Sequence, residues 1–416
     1  MTGASRTAPG GLAGVALAAL CVTVFAVPWE EAVVLEGVGS VARLVGFAAA
    51  LLGLLSLLEP GRVRLRPPSL LLVVTAAYTA WLALSYFWTV DTDASREGLT
   101  TMVQLLLLVW LVWQLCQDAR ARNAVLQSLV LGATVVAVNV LWVFLFRPDT
   151  IRIDGRIASA GENQNEVATI LALAMGVAWW LVTQRRGPLS TVFNLVFLGL
   201  APFALVLTGS RSGVLLTLLV AAQLPLAAVR LRGSVRVGLV VAVAAAVTTL
   251  ALLPPDLAER ALPNMERIST LGHDLTQSDF TGRAEIWHGG WLALIGRPAF
   301  GYGNNAFRAA VRPILGNGWA PHNAFLAVAV GTGLVGLALY VAALALTLLA
   351  QFIAPPSPAR LARIFLFLTL VVAMLPKGSA YDKSTWLLLA LLTCDVGPAL
   401  LARAAPRRLP AREVAP

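Results

Sequence analysis

The chain has 416 residues, 58% of them hydrophobic and 12% charged, with mean hydropathy +0.79 and a formal net charge of +10. Soluble domains carry roughly twice that share of charge, so the composition excludes a water-soluble globule and points to a polytopic membrane protein. Apolar runs of about 17 to 22 residues, enough for the roughly 30 Å hydrocarbon core of a bilayer, recur along the whole length.

In chain order these runs fall near residues 11–28, 38–58, 68–89, 99–117, 124–146, 165–183, 191–208, 212–229, 237–253, 322–352, 364–376 and 384–402. They predict an all-α membrane bundle of about 12 transmembrane helices with one large helical loop. The first run follows a short segment carrying Arg6 and ends at "AVPWE", which lacks a small-residue cleavage site, so it reads as a retained signal anchor. The expected organisation is transmembrane helices 1–9 over residues 1–253, a large outer loop over 254–320, helices 10–12 over 321–402, and an Arg- and Pro-rich tail over 403–416.

Short loops rich in Lys and Arg stay on the cytoplasmic side. With an even number of spans, one side holds Arg6, "GRVRLR", "DARAR", "QRR", "VRLRGSVR", "PARLAR" and the tail, together 17 basic residues against four acidic ones. The other side holds 13 basic and 17 acidic residues, with Arg43 left inside the second span. Both termini are therefore expected in the cytoplasm, and the positive charge is a topology signal with no bearing on nucleic acid. Cys21, Cys116 and Cys394 fall in or at the ends of apolar helices without metal-ligand spacing and read as small buried hydrophobes.

Two outer connections exceed a simple turn. One is "RPDTIRIDGRIASAGEN", from Arg147; the other runs from about Pro254 to Trp319, too long for a plain connector. Within the second, "SDFTGRAEIWHGGWLALIGRP" reads as a helix that Asp279 or Thr281 would cap. Trp287, Trp291 and Leu294 should share its face toward the headgroups or a cavity. Four outer stretches carry groups capable of chemistry: "DGRIASAGENQNEVA" with Arg156, Asn163 and Asn165; "LTGSRSGVLL" with Arg211; "GRAEIWHGGW" with Arg283; and "PHNAF" with His322 and Asn323. By the loop count, all four converge on one side of the membrane.

The order of "GENQNEVA", "LTGSRSGVL", "GRAEIW", "PAFGYGNNAF" and "PHNAFLAVAVGTGLVGL" resembles the O-antigen ligase and polymerase family of bacterial inner-membrane glycosyltransferases. The resemblance covers roughly residues 150 to 340 and is strongest around Arg211 and His322. It implies transfer of a polysaccharide from undecaprenyl diphosphate at the periplasmic face. In the ligase branch, which this chain resembles most, the acceptor is the lipid A-core of lipopolysaccharide. A polymerase joining repeat units and a protein O-oligosaccharyltransferase share that donor. Outside the family, a polyprenyl-linked glycan transporter would place polar groups near the midplane.

The residues have their own reading. A diphosphate leaving group needs cations, and the planar guanidinium grips phosphate oxygens in two places, so Arg211, Arg283 and Arg156 are candidates. Structural alternatives stand beside them: Arg211 snorkelling to lipid phosphates and Arg283 pairing with Glu285 or another loop acid, while Arg147 and Arg152, in the loop of Arg156, read as headgroup contacts. Arg308 and Arg312 stay open. His322 is the candidate general base, its charged form disfavoured by the helix N-terminus and nearby arginines, for a single displacement that inverts the anomeric centre. Its alternative is a helix cap. Asn163, Asn165 and Asn323 are candidates for sugar or phosphate contact, although Asn also serves as a helix cap. His273 and His288 read as structural or solvent-facing, and Glu162, Glu166, Asp154 and Asp274 as alternative bases. The "DTD" at Asp91 and Asp93 lies outside the family-like region, so neither cofactor nor metal is expected, with the arginines in place of a divalent ion. No P-loop or dinucleotide glycine pattern is present, which suits a lipid-linked donor.

Overall fold

The computed structural model describes residues 11–35, 39–59, 65–148, 155–159, 163–184, 187–223, 254–269, 283–354, 357, 359–377 and 380–394, with a few single positions between 233 and 248. The predicted span at 237–253 falls largely outside them, as do the tail, Arg152, Asp154, Glu162, His273, Asp274, Asp279 and Thr281.

The described helices are α1 Leu12–Ala26, α2 Val41–Ser56, α3 Leu70–Ser85, α4 Thr92–Leu115, α5 Ala119–Phe146, α6 Gln164–Thr183, α7 Pro188–Leu207 and α8 Arg211–Ala222. They continue with α9 Pro255–Ser269, α10 Arg283–Gly296, α11 Phe307–Leu315, α12 Ala324–Ile353, α13 Arg360–Met374 and α14 Lys383–Thr393. A two-residue antiparallel ladder pairs Val34 with Ser40 and Leu35 with Gly39 ahead of α2. Among the described residues, 7 helices are long and apolar enough to cross a membrane, and α2, α8 and α14 are shorter apolar helices. The protein is an all-α, multi-pass membrane bundle.

Helix starts follow local chemistry. Ser40, Ser69, Asp91, Asp118, Asn163, Ser210, Asn323 and Asp382 each accept a backbone N–H from the first turn of the helix they precede. Asp91 of the "DTD" is thus a cap, and Asp93 pairs with Arg96 in the open.

Helix α6 is the centre of the bundle. It packs against α5, α7, α8 and α13, and 89% of its apolar window is buried, including Trp179 and Trp180 at 0% exposure. A helix apolar on every side belongs in the interior, so the polar residues at its start, Asn163 to Glu166, lie in the middle of one end of the bundle.

That end carries a platform. Helices α10 and α11 and the first turns of α12 share a separate core of Ile286, Ala293, Leu294, Phe307, Ala310, Val311, Ala329 and Val330. Helix α10 was expected, but its packed side is rotated from the tryptophan face. Ile286, Gly289, Gly290, Ala293 and Leu294 are buried, whereas Trp291 is 57% exposed. Trp287 is half-buried and donates its Nε1–H to Pro321 O at 3.1 Å, fixing the loop that leads to His322.

Helix α12 is not the uniform span that its composition suggests. It breaks at Gly333, whose φ of 68° and ψ of −173° are open to glycine. The segment after α10 fills the gap. Tyr302 N–H and Gly303 N–H donate to Val330 O and Gly331 O, while Leu334 N–H and Val335 N–H donate to Pro298 O and Ala299 O. The carbonyls and amides that a continuous helix would pair are satisfied by an inserted strand-like stretch. The glycines of "GYGNN" serve that insertion.

Candidate active site

The predicted groups gather in two clusters joined by neighbouring residues of α6. In the first, the turn between α7 and α8 is the organiser. Arg156 donates its Nε–H to Thr208 O at 2.9 Å and an Nη–H to Asn165 Oδ1 at 3.0 Å. Arg211, at the start of α8, donates its Nε–H to Arg267 O at 3.0 Å, and Arg267 returns an Nε–H to Gly209 O at 3.2 Å. Asn264, only 1% exposed, donates to Gly155 O at 2.8 Å. Gly209 stands at φ 59°, and a Cβ there would lie 2.6 Å from Asn264 Oδ1 and 3.2 Å from Arg156 Cγ. A glycine is required for three arginines to meet in so small a space.

The second cluster surrounds His322. It precedes the Asn323 cap, so it lies just outside α12, where the expectation had it just inside; its backbone is left-handed at φ 44°. Such a conformation is costly for a residue with a Cβ and persists only where the surroundings fix it. Burial is the leading influence that holds the imidazole below its ordinary pKa, and the Arg283 and Arg308 guanidiniums push the same way against the Glu166 carboxylate. The ring is therefore neutral at neutral pH, with burial ahead of the helix dipole as the cause. Arg283 makes no ion pair among the described residues, with Glu285 or otherwise, and burial lowers its own pKa. Arg308, left open by the sequence, acts on the same imidazole. His288 is exposed.

Asn163 and Asn323 use their Oδ1 atoms as caps, accepting from Asn165 N–H at 2.9 Å and Leu326 N–H at 3.1 Å. Among the described residues their amide groups make no hydrogen bond, whereas the Asn165 oxygen is committed to Arg156.

Glu166 links this cluster to a cleft of about 290 Å³ that no sequence signal had marked. Its polar lining includes Glu30, Arg43, Gln104, Glu166, Lys377, Asp382 and Lys383. Lys377 is buried and pairs with Asp382 at 2.7 Å and Glu166 at 3.2 Å. Burial pulls the Lys377 pKa down, but the two carboxylates outweigh it and hold it above the ordinary lysine value. Burial pushes the Asp382 pKa up, and Lys377 with the Thr385 hydrogen bonds brings it below the ordinary carboxylate value. Lys383 pairs with Glu30, and Tyr381 Oη–H donates to Asn304 Oδ1, tying α14 to the turn after α1 and to the platform.

The arrangement offers a neutral base, guanidiniums held by backbone and side-chain hydrogen bonds or, at Arg283 and Arg308, without an ion pair among the described residues, and a polar cleft, all at one end of a membrane bundle. Residues 193–341 match the family model described as O-antigen ligase. A curated O-antigen ligase of Pseudomonas aeruginosa is similar to the chain, 26% identical over 340 residues that cover 80% of this chain and 78% of the relative. Over these residues the chain is similar to the O-antigen ligase family.

That similarity implies a glycosyltransferase-like enzyme. The family match runs from α7 through the Gly333 break and contains Arg211, Arg283, Arg308 and His322. Arg156, Asn165, Glu166 and Lys377 lie outside it, brought in by α6 and by the connection between α13 and α14. The stretch "PKGSAYDKS" between two apolar runs was the available signal for Lys377, Tyr381 and Asp382. Six polar residues in a short stretch are ordinary at a membrane surface, so only the fold distinguishes them.

Proposed function

We propose that the protein is an O-antigen ligase of the bacterial inner membrane, transferring polysaccharide from undecaprenyl diphosphate to the lipid A-core of lipopolysaccharide at the periplasmic face. The observation that carries the reading is the half-buried His322, neutral, held in a left-handed backbone and within the electrostatic reach of Arg283 and Arg308. An acceptor hydroxyl oxygen attacks the anomeric carbon, and its proton passes to the free imidazole nitrogen. The bond from that carbon to the diphosphate oxygen breaks with its electron pair, leaving undecaprenyl diphosphate and an inverted centre. Arg283 and Arg308 take up the charge that grows on the leaving group, where fixed cations in a partly dry site contribute most. Arg156 and Arg211, with Asn163, Asn165 and Asn323, hold the diphosphate and the first sugars. The arginines stand in for a divalent ion, so transfer proceeds in EDTA.

The distribution of basic residues supports the orientation. Arg66, Arg122 and Arg363 gather at the opposite end, where Arg66 bonds Trp113 O and Cys394 O, as expected of a cytoplasmic surface. The test is a reconstituted transfer from polysaccharide on undecaprenyl diphosphate to rough lipopolysaccharide in EDTA. Wild type should extend the lipopolysaccharide, and folded His322→Ala should not. Elongation of the donor on its own carrier would instead identify a polymerase.

A further inference from the structure

Helix α10 is apolar on two opposite sides. Ile286, Gly289, Gly290, Ala293 and Leu294 are buried toward the platform core, while Trp291, Leu292 and Ile295 face outward and are exposed. A helix with an apolar outer face is at odds with water, which soluble helices meet with charged and polar residues. The polar outward residues, Glu285 and His288, lie in the first half of α10, and the large apolar ones lie in the second. The helix therefore has a polar end and an apolar end.

The apolar end lies where the bilayer begins. Just after α10, Pro298 O and Ala299 O accept Leu334 N–H and Val335 N–H at the break in α12. From Leu334 onward α12 is long enough to cross the hydrocarbon core, and Leu334 and Val335 are themselves exposed, so the lipid-facing surface starts beside the end of α10. From Trp291 to Gly296 the helix rises only about 8 Å at roughly 1.5 Å per residue, and the headgroup layer is roughly 5 to 8 Å deep on each side of the core. Aromatic rings mark the same level. Phe300 stacks on Trp81 and meets Trp88 edge-on, each at 5.8 Å between centroids, and Trp88 donates its Nε1–H to Phe300 O at 3.1 Å. Phe300 and Phe87 are exposed. Arg297 is exposed, makes no ion pair among the described residues, and holds its guanidinium 4.8 Å from the Tyr302 ring. Aromatic rings beside a basic group are the composition of a membrane–water boundary.

We infer that the Trp291, Leu292 and Ile295 face of α10 is a lipid-binding surface, seated in the headgroup layer of the leaflet on the His322 side with Arg297 against the lipid phosphates. The occupant is a bilayer leaflet because the face adjoins the lipid-facing start of a long span and ends in an aromatic and basic boundary of its own. The platform then rests on the leaflet as well as on the bundle. Arg283 opens α10, and Trp287 holds the loop before His322 through its bond to Pro321 O. The seated helix therefore sets the height of both groups above the membrane. The inference rests on the membrane class alone, so it stands or falls apart from the ligase reading.

The experiment is power-saturation EPR of the full chain in vesicles of dioleoyl phosphatidylcholine and dioleoyl phosphatidylglycerol. A nitroxide is attached to Leu292→Cys, Ile295→Cys or Glu285→Cys, with Cys21, Cys116 and Cys394 replaced by Ala. Oxygen concentrates in lipid and a nickel chelate in water. The ratio of oxygen to nickel collisions should be several-fold higher at the Leu292 and Ile295 sites than at the Glu285 site, and a ratio no higher there overturns the inference. So does dipolar broadening between labels at the Leu292 site, which would make the face a contact between two copies of the chain. Arg297→Glu sets like charges against the phosphates and should raise nickel access at the Ile295 site several-fold; unchanged access overturns the phosphate contact. A second measurement keeps the native cysteines and compares wild type with Trp291→Phe in vesicles of brominated phosphatidylcholine. The emission that the substitution removes should be strongly quenched by bromine. Unquenched emission from Trp291 overturns the inference even if the chain without cysteines fails to fold.

Discussion

Replacing Lys377 by Met tests whether the cleft is organised by a buried ion pair. Lys377 is 8% exposed and its nitrogen lies 2.7 Å from Asp382 and 3.2 Å from Glu166. The Glu166 side chain is 44% exposed, so solvent screens that pair to at most about 1 kcal/mol. Asp382, at 25%, carries most of the coupling. Removing one partner of a buried pair strands the other charge and costs about 3 to 5 kcal/mol. Asp382 also caps α14, accepting from Thr385 N–H at 2.8 Å and Oγ1–H at 2.9 Å, and these bonds moderate the loss toward the lower figure. The assay is equilibrium unfolding in mixed micelles for Lys377→Met, Asp382→Asn and the double variant. The double variant should cost at least about 2 kcal/mol less than the two single losses together, because it strands no charge. Additivity within about 0.5 kcal/mol would refute the pair. The pH dependence has a worked sign. The Asp382 pKa is depressed on folding, so its stabilisation is present above the ordinary carboxylate value near 4 and is lost as pH falls through the folded value. The Lys377 pKa is raised, so its share is present below about pH 10 and is lost as pH rises through the folded value. Lys377→Met should abolish the alkaline limb and weaken the acid one, because the Thr385 hydrogen bonds to Asp382 remain.

His322→Ala should lower kcat by about 10² to 10⁴ with little change in donor binding. Because the imidazole pKa lies below its ordinary value near 6.5, kcat/KM should stay level through neutral pH and fall only as acid protonates the base; a fall beginning above pH 7 would contradict its assignment. Arg211→Lys keeps the charge but loses the fork and the Nε bond to Arg267 O, so activity should drop at least about ten-fold in the transfer assay. Full activity would reduce its role to charge neutralisation. At Gly333, a Cβ would lie 2.1 Å from Ala299 O at a φ of 68°. Gly333→Ala should therefore cost about 2 kcal/mol or more by unfolding in micelles, and transfer should fall with it, since the inserted stretch steadies the platform that carries Arg283 and His322.

The membrane class, most span positions and Arg283 and His322 of the platform were legible because hydropathy and loop charge act locally, whereas Arg308 stayed open. Three things were not legible. Helices α9 and α11 were hidden in a polar loop whose composition is unremarkable, though α9 supplies Asn264 and Arg267 to the Arg156 turn. The break in α12 is invisible to a hydropathy window because Gly331, Thr332 and Gly333 are apolar enough to continue a span. The pairing of Lys377 with Glu166 joins positions far apart in sequence, and each residue alone reads as a surface charge.

The break also bears on the transporter alternative, since interrupted helices with unwound backbone are how transporters build sites at the midplane. In this bundle the interruption lies elsewhere and does something else. Trp81, one turn before the end of α3, donates its Nε1–H to Thr332 O at 2.9 Å, so the break is level with the end of a neighbouring span. The helix beyond it, from Leu334 to Ile353, is twenty residues long, about 30 Å, and crosses a bilayer unaided. Every backbone group freed at Val330, Gly331, Leu334 and Val335 is bonded to the stretch from Pro298 to Gly303, leaving none to line an ion or substrate path. The first turns of α12 are therefore part of the platform, and His322 stands above the span and not at its mouth. A device that lifts a neutral imidazole and two guanidiniums over the centre of the bundle, beside the start of its most buried helix, suits chemistry at the membrane surface better than passage through it.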